Sequence, residues 1–158
     1  MDEGNILKNV VRTILGKNGF RISSEILDSS SYDIVASKDN EIYIIKVLYN
    51  VDTFKKESAE ELKLISKLLK AKALIVGIKC GLGKLDDYVL YSRYDIPVLS
   101  LKTFTDLLKY GEYPFSFAAP GGYYAKINGK KLREFREKYN ISLGDLAKIA
   151  NVSRKSIQ

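Results

Sequence analysis

Asp33 and Lys46, in the first half of the chain, have side chains suited to chemistry on a phosphodiester. A carboxylate can hold a divalent cation, and a lysine beside the attacked phosphate can stabilise the negative charge that develops there. Such a site needs two or more carboxylates, but the residues that alternate with Lys46 along the predicted strand are Ile42 and Ile44. Alternate residues of a strand share one face, so Lys46 shares its face with apolar residues and Glu41 lies on the opposite face. The pattern therefore predicts an incomplete catalytic centre.

The missing acid has one alternative source, the glutamates of the helix predicted to follow. The candidates are Glu57, Glu60 and Glu61. Without such a contribution, Asp33 is a strand-edge or turn residue, and Lys46 either pairs with it or extends towards solvent. We treat Asp33 and Lys46 as vestigial candidates, and we expect no catalytic residue, no bound metal and no cofactor.

A second group of polar and basic residues, near the C-terminal end, has the types that contact DNA. Glutamine can pair with adenine and arginine with guanine, whereas contacts to phosphates set the register on the duplex. Free amides at the start of a helix also bind phosphate. The candidate DNA-binding residues are Ser142, Lys148, Ser153, Arg154, Lys155, Ser156 and Gln158.

The spacing of apolar residues predicts the helices that must position this group. The first helix spans residues 130–139, and Asn140 ends it with a left-handed backbone. Ser142 begins the second helix, because its hydroxyl can accept a hydrogen bond from the amide of Asp145. The Asp145 carboxylate can in turn accept a hydrogen bond from the amide of Ser142. The residues predicted to face inward are Leu132, Phe135, Tyr139, Leu146 and Ala150.

The second helix and the residues after it have the spacing of two crossing helices. Ala147 is small where the helices approach, and Asn151 suits a left-handed turn. Val152 fills the turn, Ser153 caps a third helix, and Ile157 lies beneath that helix. The sequence stops inside the third helix, so we expect this segment alone to bind DNA poorly and its end to fray.

The positive charge of the chain is concentrated at the same end. Residues 130–158 contain eight Lys/Arg and three Asp/Glu, whereas residues 1–125 contain 17 and 16. A basic excess confined to one end favours a polyanionic partner for that end, and a basic solvated surface is the common alternative.

Composition excludes several other classes of site. The chain has no histidine, which excludes His-dependent triads, His-bound zinc and His acid–base catalysis. Its single cysteine, Cys80, excludes an internal disulfide. Asp2 and Glu3 argue against a signal peptide, and no apolar stretch approaches the length of a bilayer span. We expect a soluble, cytoplasmic protein without membrane contact.

The first part of the chain alternates between helix and strand patterns. A helix over 5–17 has a wide apolar face, and a lysine-rich helix over 54–72 turns Leu62, Ile65 and Leu69 inward. The other predicted elements are strands at 20–26, 32–37, 41–48, 73–78, 88–91 and 96–101, a turn at 28–31, a loop at 81–84, and a helix that Thr103 caps and that ends at Lys109. This order predicts an α/β domain with a mixed sheet.

Composition also divides the chain into three parts. We predict an α/β domain at 1–111, a connector at 112–128 and the helical segment at 129–158. The connector is rich in proline, glycine and aromatic residues, and its aromatic residues need a surface to bury against. We therefore expect an ordered connector and docked parts.

Asp33 and Lys46 on neighbouring strands, within the order helix, three strands, helix and strand, resemble the PD-(D/E)xK nuclease family. Its members hold Mg²⁺ with an aspartate on one strand and a glutamate two residues before the lysine on the next. The resemblance implies a restriction-endonuclease-like fold, a mixed sheet flanked by helices. Because Ile44 stands at the glutamate position, the resemblance supports the fold and not the activity.

The segment from Leu132 to Gln158 resembles the Cro/C1-type (XRE) helix-turn-helix family. The matching residues are Leu146, Ala147, Val152, Ser153 and Ile157. The resemblance implies an all-α segment whose third helix meets the major groove of DNA.

A nuclease-like domain joined to a Cro/C1-type module resembles a group of archaeal transcriptional regulators, and segments 44–52 and 93–97 fit that group. We expect a DNA-binding transcriptional regulator, a homodimer, whose partner is double-stranded DNA and whose nuclease-like domain serves assembly or docking. The alternatives are a metal-dependent DNA nuclease of the PD-(D/E)xK type and a protein-interaction module.

Overall fold

The computed structural model describes residues 3–23, 31–81 and 83–157. The helices are α1 (Glu3–Lys17), α2 (Lys56–Leu68), α3 (Leu101–Tyr110), α4 (Gly129–Lys138) and α5 (Leu143–Ile149). The strands are β1 (Arg21–Ile22), β2 (Ile34–Lys38), β3 (Glu41–Asn50), β4 (Lys72–Cys80), β5 (Gly83–Lys84), β6 (Val89–Arg93), β7 (Ile96–Ser100), β8 (Ser116–Ala119) and β9 (Gly122–Ala125). Two 3-10 turns lie at Val51–Thr53 and Arg154–Ser156. The chain forms two compact units, Met1–Tyr124 and Ala125–Gln158.

The strands form one mixed sheet in the order β1-β2-β3-β4-β7-β6-β8-β9, with β5 paired to β4. A hairpin joins β2 to β3, the strands predicted at 32–37 and 41–48, in antiparallel register, with Lys38 opposite Glu41, and Asp39 turns the chain at φ 52°. The parallel neighbours β3 and β4 are connected through α2. A second hairpin joins β6 to β7, where Tyr94 and Asp95 both have positive φ. The predicted mixed α/β sheet flanked by helices is confirmed.

Alternation along β3 sends its side chains into two apolar layers. Tyr43, Ile45 and Val47 pack with buried residues of α1 and α3. Ile44 points the other way and packs with buried residues of α2. Lys46 follows Ile44 by two positions, so the strand period places it on the α2 side of the sheet.

Helix α1 buries one apolar stripe rather than the wide face that its sequence predicts. Leu7, Val11 and Leu15 are buried, but Ile6 and Val10 are 47% and 38% exposed. The stripe at 6, 10 and 14 is displaced around the helix by one residue, about 100°. The prediction of a wide buried face was therefore wrong for Ile6 and Val10.

Three further details differ from the sequence prediction. The helix cap before α3 is Ser100, whose hydroxyl accepts the amide hydrogen of Thr103, so Thr103 is not the cap. In the predicted loop at 81–84, Gly83–Lys84 pairs with β4 as a short strand. Helix α2 ends at Leu68, and Leu69 is half exposed rather than inward.

Two sequence predictions fall partly outside the described residues. Strand β1 covers only Arg21–Ile22 of the predicted strand at 20–26, and residues 24–30, which hold most of the predicted turn, are not described.

Among the described helices, none has both the length and the apolar character that crossing a membrane would require.

Candidate functional site

Asp33 lies immediately before β2, with both carboxylate oxygens engaged by basic or amide groups. Its Oδ1 is 2.7 Å from Nζ of Lys8, and its Oδ2 is 3.3 Å from Nζ of Lys46. The amide of Val47 also donates to Oδ2 at 2.8 Å. The Asp33 amide donates to the carbonyl of Ile45, which fixes the approach of the chain to β3. The structure thus brings together the two residues that the sequence singled out, and adds a second lysine.

This cluster is largely withdrawn from solvent. The side chains of Asp33 and Lys46 are 6% and 11% exposed, whereas that of Lys8 is 33% exposed. A buried carboxylate with two ammonium groups and an amide has its negative charge fully compensated, which is the condition under which such a charge is tolerated inside a protein. We call Lys8, Asp33 and Lys46 the Asp33 cluster.

The residues of the Asp33 cluster do not fit a magnesium site. Ile44, at the position where the nuclease pattern has glutamate, is fully buried in the apolar layer under α2. Glu41 is exposed and pairs with Lys72 at 2.5 Å, at the start of β3. Among the residues that the structure describes, no three His, Cys, Asp or Glu side chains are grouped so that they could hold a metal ion. Within the described part of the chain, a divalent ion at Asp33 would meet one carboxylate, which is already paired with two lysines.

The proposed migrated acid has one structural candidate. A depression of about 560 Å³ beside Lys46 is lined by Leu48, Thr53, Phe54, Lys55, Glu57 and Ser58. Glu57 therefore lies near Lys46, although its side chain is exposed. Glu60 is also exposed and its carboxylate is 3.9 Å from Lys56, and Glu61 is exposed on α2. Glu57 is the only one of the three that lines this depression, and it does so with two lysines.

Residues 125–158 form two helices followed by a 3-10 turn. Helix α4 ends at a left-handed residue, Asn140, and a second left-handed residue, Asn151, follows α5. The amide of Val152 then donates to the carbonyl of Ala147 at 3.0 Å, which closes the turn. Both asparagines have the left-handed backbone that the sequence predicts, because Asn accepts this conformation with little strain.

Ser142 caps α5 as predicted, and its hydroxyl adds a further bond. The hydroxyl accepts the amide hydrogen of Asp145 at 3.0 Å. The Asp145 carboxylate accepts the Ser142 hydroxyl hydrogen at 2.5 Å, and the Ser142 backbone amide that the capping pattern predicts also acts on that carboxylate. The bond from the hydroxyl, aided by the nearby charges of Lys148 and Arg154, lowers the pKa of Asp145 below its usual value.

Three of the predicted DNA-binding residues line one groove of about 430 Å³, namely Lys148, Ser153 and Arg154. The guanidinium of Arg154 lies against Gly144, since a Cβ added at Gly144 would be 2.8 Å from Arg154 Nη2. Lys155 is exposed in the 3-10 turn. The side chain of Ser156 and all of Gln158 lie outside the described part of the chain.

The apolar interior predicted for this unit is only partly present. Among its described residues Ala147 alone is buried, while Leu132, Leu146 and Ile157 are partly buried. Phe135, Tyr139 and Val152 are 52%, 55% and 46% exposed, and Ala150 is exposed too. The predicted burial of these four residues was therefore wrong, because two short helices and one turn offer too little surface to enclose them.

Sequence reasoning did not single out Lys8. The residue follows Leu7 in α1 and so borders the buried stripe, which is the only local signal. Border lysines are common on amphipathic helices, and the contact with Asp33 spans 25 positions of the chain. Lys8 and Asp33 are brought together only when α1 packs on the sheet, so their contact could not be predicted from the sequence.

Comparison with known proteins identifies relatives with shared sequence over most of the chain. A protein of Archaeoglobus fulgidus is 45% identical over 80% of this chain and 41% of its own length. Proteins of Thermoplasma volcanium and Thermoplasma acidophilum are 41% and 43% identical over 99% of this chain and 50% of their own lengths. All three carry the provisional name HTH-type transcriptional regulatory protein. The chain spans about half the length of the curated relatives it matches.

A solved structure and a protein family also match the chain. The Holliday junction resolvase Hjc of Archaeoglobus fulgidus is 19% identical, with a TM-score of 0.42 over 52% of this chain and 68% of that chain. The family described as the PD-(D/E)XK superfamily domain matches residues 4–114. Since that match covers well over half of its residues, the chain belongs to the PD-(D/E)XK superfamily.

Proposed function

We propose that the chain is part of a DNA-binding transcriptional regulator, working in the cytoplasm, whose PD-(D/E)XK domain serves assembly or docking instead of cleavage. The observation that carries this proposal is the Asp33 cluster, in which Lys8 and Lys46 compensate the one acid of the expected catalytic centre. The names of the relatives support the regulatory part of the proposal. A domain that keeps the fold and lacks the acids is suited to binding without chemistry.

The proposed DNA contact lies in residues 125–158, where α4, α5 and the 3-10 turn would begin a Cro/C1-type helix-turn-helix. This unit carries nine Lys/Arg and three Asp/Glu, against 17 and 16 in residues 1–124. Lysines that neutralise phosphates release counterions, which makes binding strong at low salt and weak at high salt. The proposed contact residues remain Ser142, Lys148, Ser153, Arg154, Lys155, Ser156 and Gln158.

The test is fluorescence anisotropy of a labelled DNA duplex titrated with the chain at several salt concentrations. Lys148 and Lys155 are the residues to change, because both are exposed. Arg154 is less suitable, since its guanidinium also packs on Gly144. Each lost phosphate contact lowers the slope of log affinity against log salt by about 0.9. We expect Lys148→Ala/Lys155→Ala to weaken binding and to reduce the slope by about 2.

The matched control is Lys17→Ala/Lys67→Ala, which removes the same charge from exposed lysines of the first unit. Its affinity and slope should stay near those of the unchanged chain. Equal losses in both double variants would mean that DNA responds only to net charge, and the proposed contact would be wrong. No binding by the unchanged chain at any salt would favour a protein-interaction module instead.

We further propose that the regulator is a homodimer. Two copies related by a two-fold axis can read two half-sites of DNA, and cyclic dimers are the commonest closed assemblies. Light scattering coupled to size-exclusion chromatography measures the molar mass directly. A mass of one 17.8 kDa chain over the whole concentration range would contradict the dimer for this length of the protein.

Metal-dependent cleavage of DNA is the second candidate function, and one observation favours it. Glu57 lines the depression beside Lys46, within a domain of the PD-(D/E)XK superfamily. Supercoiled plasmid incubated with the chain and Mg²⁺ or Mn²⁺ distinguishes the two functions. We expect the plasmid to stay supercoiled. Nicking that disappears in Asp33→Ala and Glu57→Gln would establish the nuclease.

A further inference from the structure

The cation next to Asp33 comes from the chain itself. Lys8 Nζ lies 2.7 Å from Oδ1, the oxygen that neither Lys46 nor the Val47 amide contacts. The Asp33 side chain is 94% buried, so its charge needs a close partner. Lys46 alone, at 3.3 Å from the other oxygen, leaves Oδ1 to be balanced by a second group. Lys8 of α1 supplies this second group beside Oδ1.

A divalent ion and Lys8 would compete for the same oxygen. Two positive groups within about 4 Å of each other repel strongly where the dielectric constant is low. Mg²⁺ and Mn²⁺ also prefer several oxygen ligands, and among the described residues Asp33 with Ile44 on the neighbouring strand supplies too few. The ammonium of Lys8 needs no set of several oxygen ligands, and its side chain is one third exposed to solvent.

The position of Lys8 is set by the core and not by the charge alone. Its neighbours on α1, Leu7 and Val11, are buried against Tyr43, Ile45 and Val47 of β3. That packing holds the second turn of the helix beside the point where Asp33 precedes β2. The bond to Asp33 therefore joins α1 to the first strands of the sheet.

We propose that Lys8 substitutes for the divalent cation of the superfamily centre, so that the Asp33 cluster is a metal-independent structural site. This proposal rests on the proposed function, because it concerns the same site in the nuclease-like domain. DNA binding by residues 125–158 does not depend on whether Lys8 replaces a metal. It also implies that removing the lysine and adding an acid at position 8 turns the cluster back towards a metal site.

The experiment measures Mn²⁺ binding by electron paramagnetic resonance, in which free Mn²⁺ gives a signal that is lost on binding. The proteins compared are the unchanged chain, Lys8→Glu, Lys8→Gln and the control Lys17→Glu. Lys17 is exposed at the far end of the same helix, so Lys17→Glu makes the same change of charge away from Asp33. Circular dichroism of each variant reports whether it is folded.

We expect Lys8→Glu to bind one Mn²⁺ at least tenfold more tightly than the unchanged chain, Lys8→Gln and Lys17→Glu. Mn²⁺ should also raise the melting temperature of Lys8→Glu alone, because a ligand that binds only the folded state stabilises it. Stoichiometric Mn²⁺ binding by the unchanged chain, lost in Asp33→Asn, would overturn the proposal. Equal binding by Lys8→Glu and Lys17→Glu would overturn it as well. Neither result would affect the anisotropy test of DNA binding.

Discussion

The Asp33 carboxylate connects the start of β2 to two other segments, α1 and β3. It accepts bonds from Lys8 of α1 and from both the Lys46 side chain and the Val47 amide of β3. Such an arrangement is not evidence of a large net stabilisation, because the desolvation of three charges opposes the attraction between them. Its removal is nevertheless costly, since Lys46 stays largely buried when the carboxylate charge is gone.

We predict that Asp33→Asn lowers the free energy of unfolding by about 3 kcal/mol, because Lys8 and Lys46 lose the carboxylate charge that compensates them at a largely buried site. Urea denaturation monitored by circular dichroism measures this change. The matched control is Asp95→Asn, which removes a carboxylate that is 95% exposed and 3.9 Å from Lys63. That control should change stability by less than about 0.5 kcal/mol. Equal effects in the two variants would contradict a structural role for the Asp33 cluster.

Ser142 offers a second test at a single residue. Ser142→Ala removes the hydroxyl that accepts the Asp145 amide, and a lost helix cap costs about 1 kcal/mol. We expect a weaker helical signal and a lower melting temperature for residues 125–158 within the whole chain. Ser142→Asn, which keeps a cap acceptor, should recover most of the loss. A melting temperature unchanged in Ser142→Ala would show that the cap has no energetic role.

The lowered pKa of Asp145 makes the same cap sensitive to pH. A carboxyl group whose pKa is lower in the folded than in the unfolded state stabilises the fold at pH above its ordinary value of 3.8. That contribution is lost as the pH falls through the folded value. Asp145→Asn should therefore be less stable than the unchanged chain near pH 6 and similar to it near pH 2. A difference between the two that persists undiminished at low pH would contradict this linkage.

At the scale of elements, the strands show which sequence signals are sufficient. Alternation along β3 allowed the prediction that Ile44 and Lys46 share one face, because a period of two leaves no other arrangement once either face is buried. The structure has Ile44 in the layer under α2 and Tyr43, Ile45 and Val47 in the opposite layer. The buried face of α1 was harder to predict, because two adjacent apolar stripes fit the same helical period. Only contact with the sheet selects the stripe of Leu7, Val11 and Leu15.

Other details could not be predicted from the sequence, because they depend on residues that are distant in the chain and close in the fold. Ser100 and Thr103 are both ordinary caps, and either fits the sequence before α3. Lys8 resembles any lysine at the border of an amphipathic helix until the sheet places Asp33 beside it. The incomplete acid set, in contrast, follows from strand geometry alone. The sequence therefore predicted Asp33, Lys46 and the apolar Ile44 of the candidate site, and it did not predict Lys8.

Strand β4 provides the prediction at this scale, because it crosses the centre of the sheet with a glycine in a buried position. A Cβ added at Gly77 would lie 2.5 Å from Cγ2 of Val51 and 3.2 Å from Cδ1 of Leu85. We expect Gly77→Ala to lower the free energy of unfolding by about 1–3 kcal/mol, the usual cost of overfilling a packed core. The control is Gly83→Ala in β5, where an added Cβ meets nothing within 4 Å. Equal losses in both would show that the packing around Gly77 is looser than described.

At the scale of the whole molecule, the chain divides its properties between two units. The first unit holds the nuclease-like sheet and is almost neutral, with 17 Lys/Arg and 16 Asp/Glu. The second holds most of the excess charge and buries only Ala147 among its described residues. A unit below about 40 residues buries too little apolar surface to be stable by itself without further support. This explains why exposed Phe135 and Tyr139 contradict the burial that their spacing predicted.

The central claim is that this PD-(D/E)XK domain accompanies DNA binding and not DNA cleavage, because Lys8 and Lys46 pair with Asp33, the one acid of its centre among the residues that the structure describes. The most direct measurement incubates an end-labelled duplex with the chain and Mn²⁺ at low salt, and divides each sample between a native and a denaturing gel. The account predicts a shifted band on the native gel and full-length strands on the denaturing gel. Shortened strands that require Mn²⁺ and disappear with Asp33→Asn would contradict it.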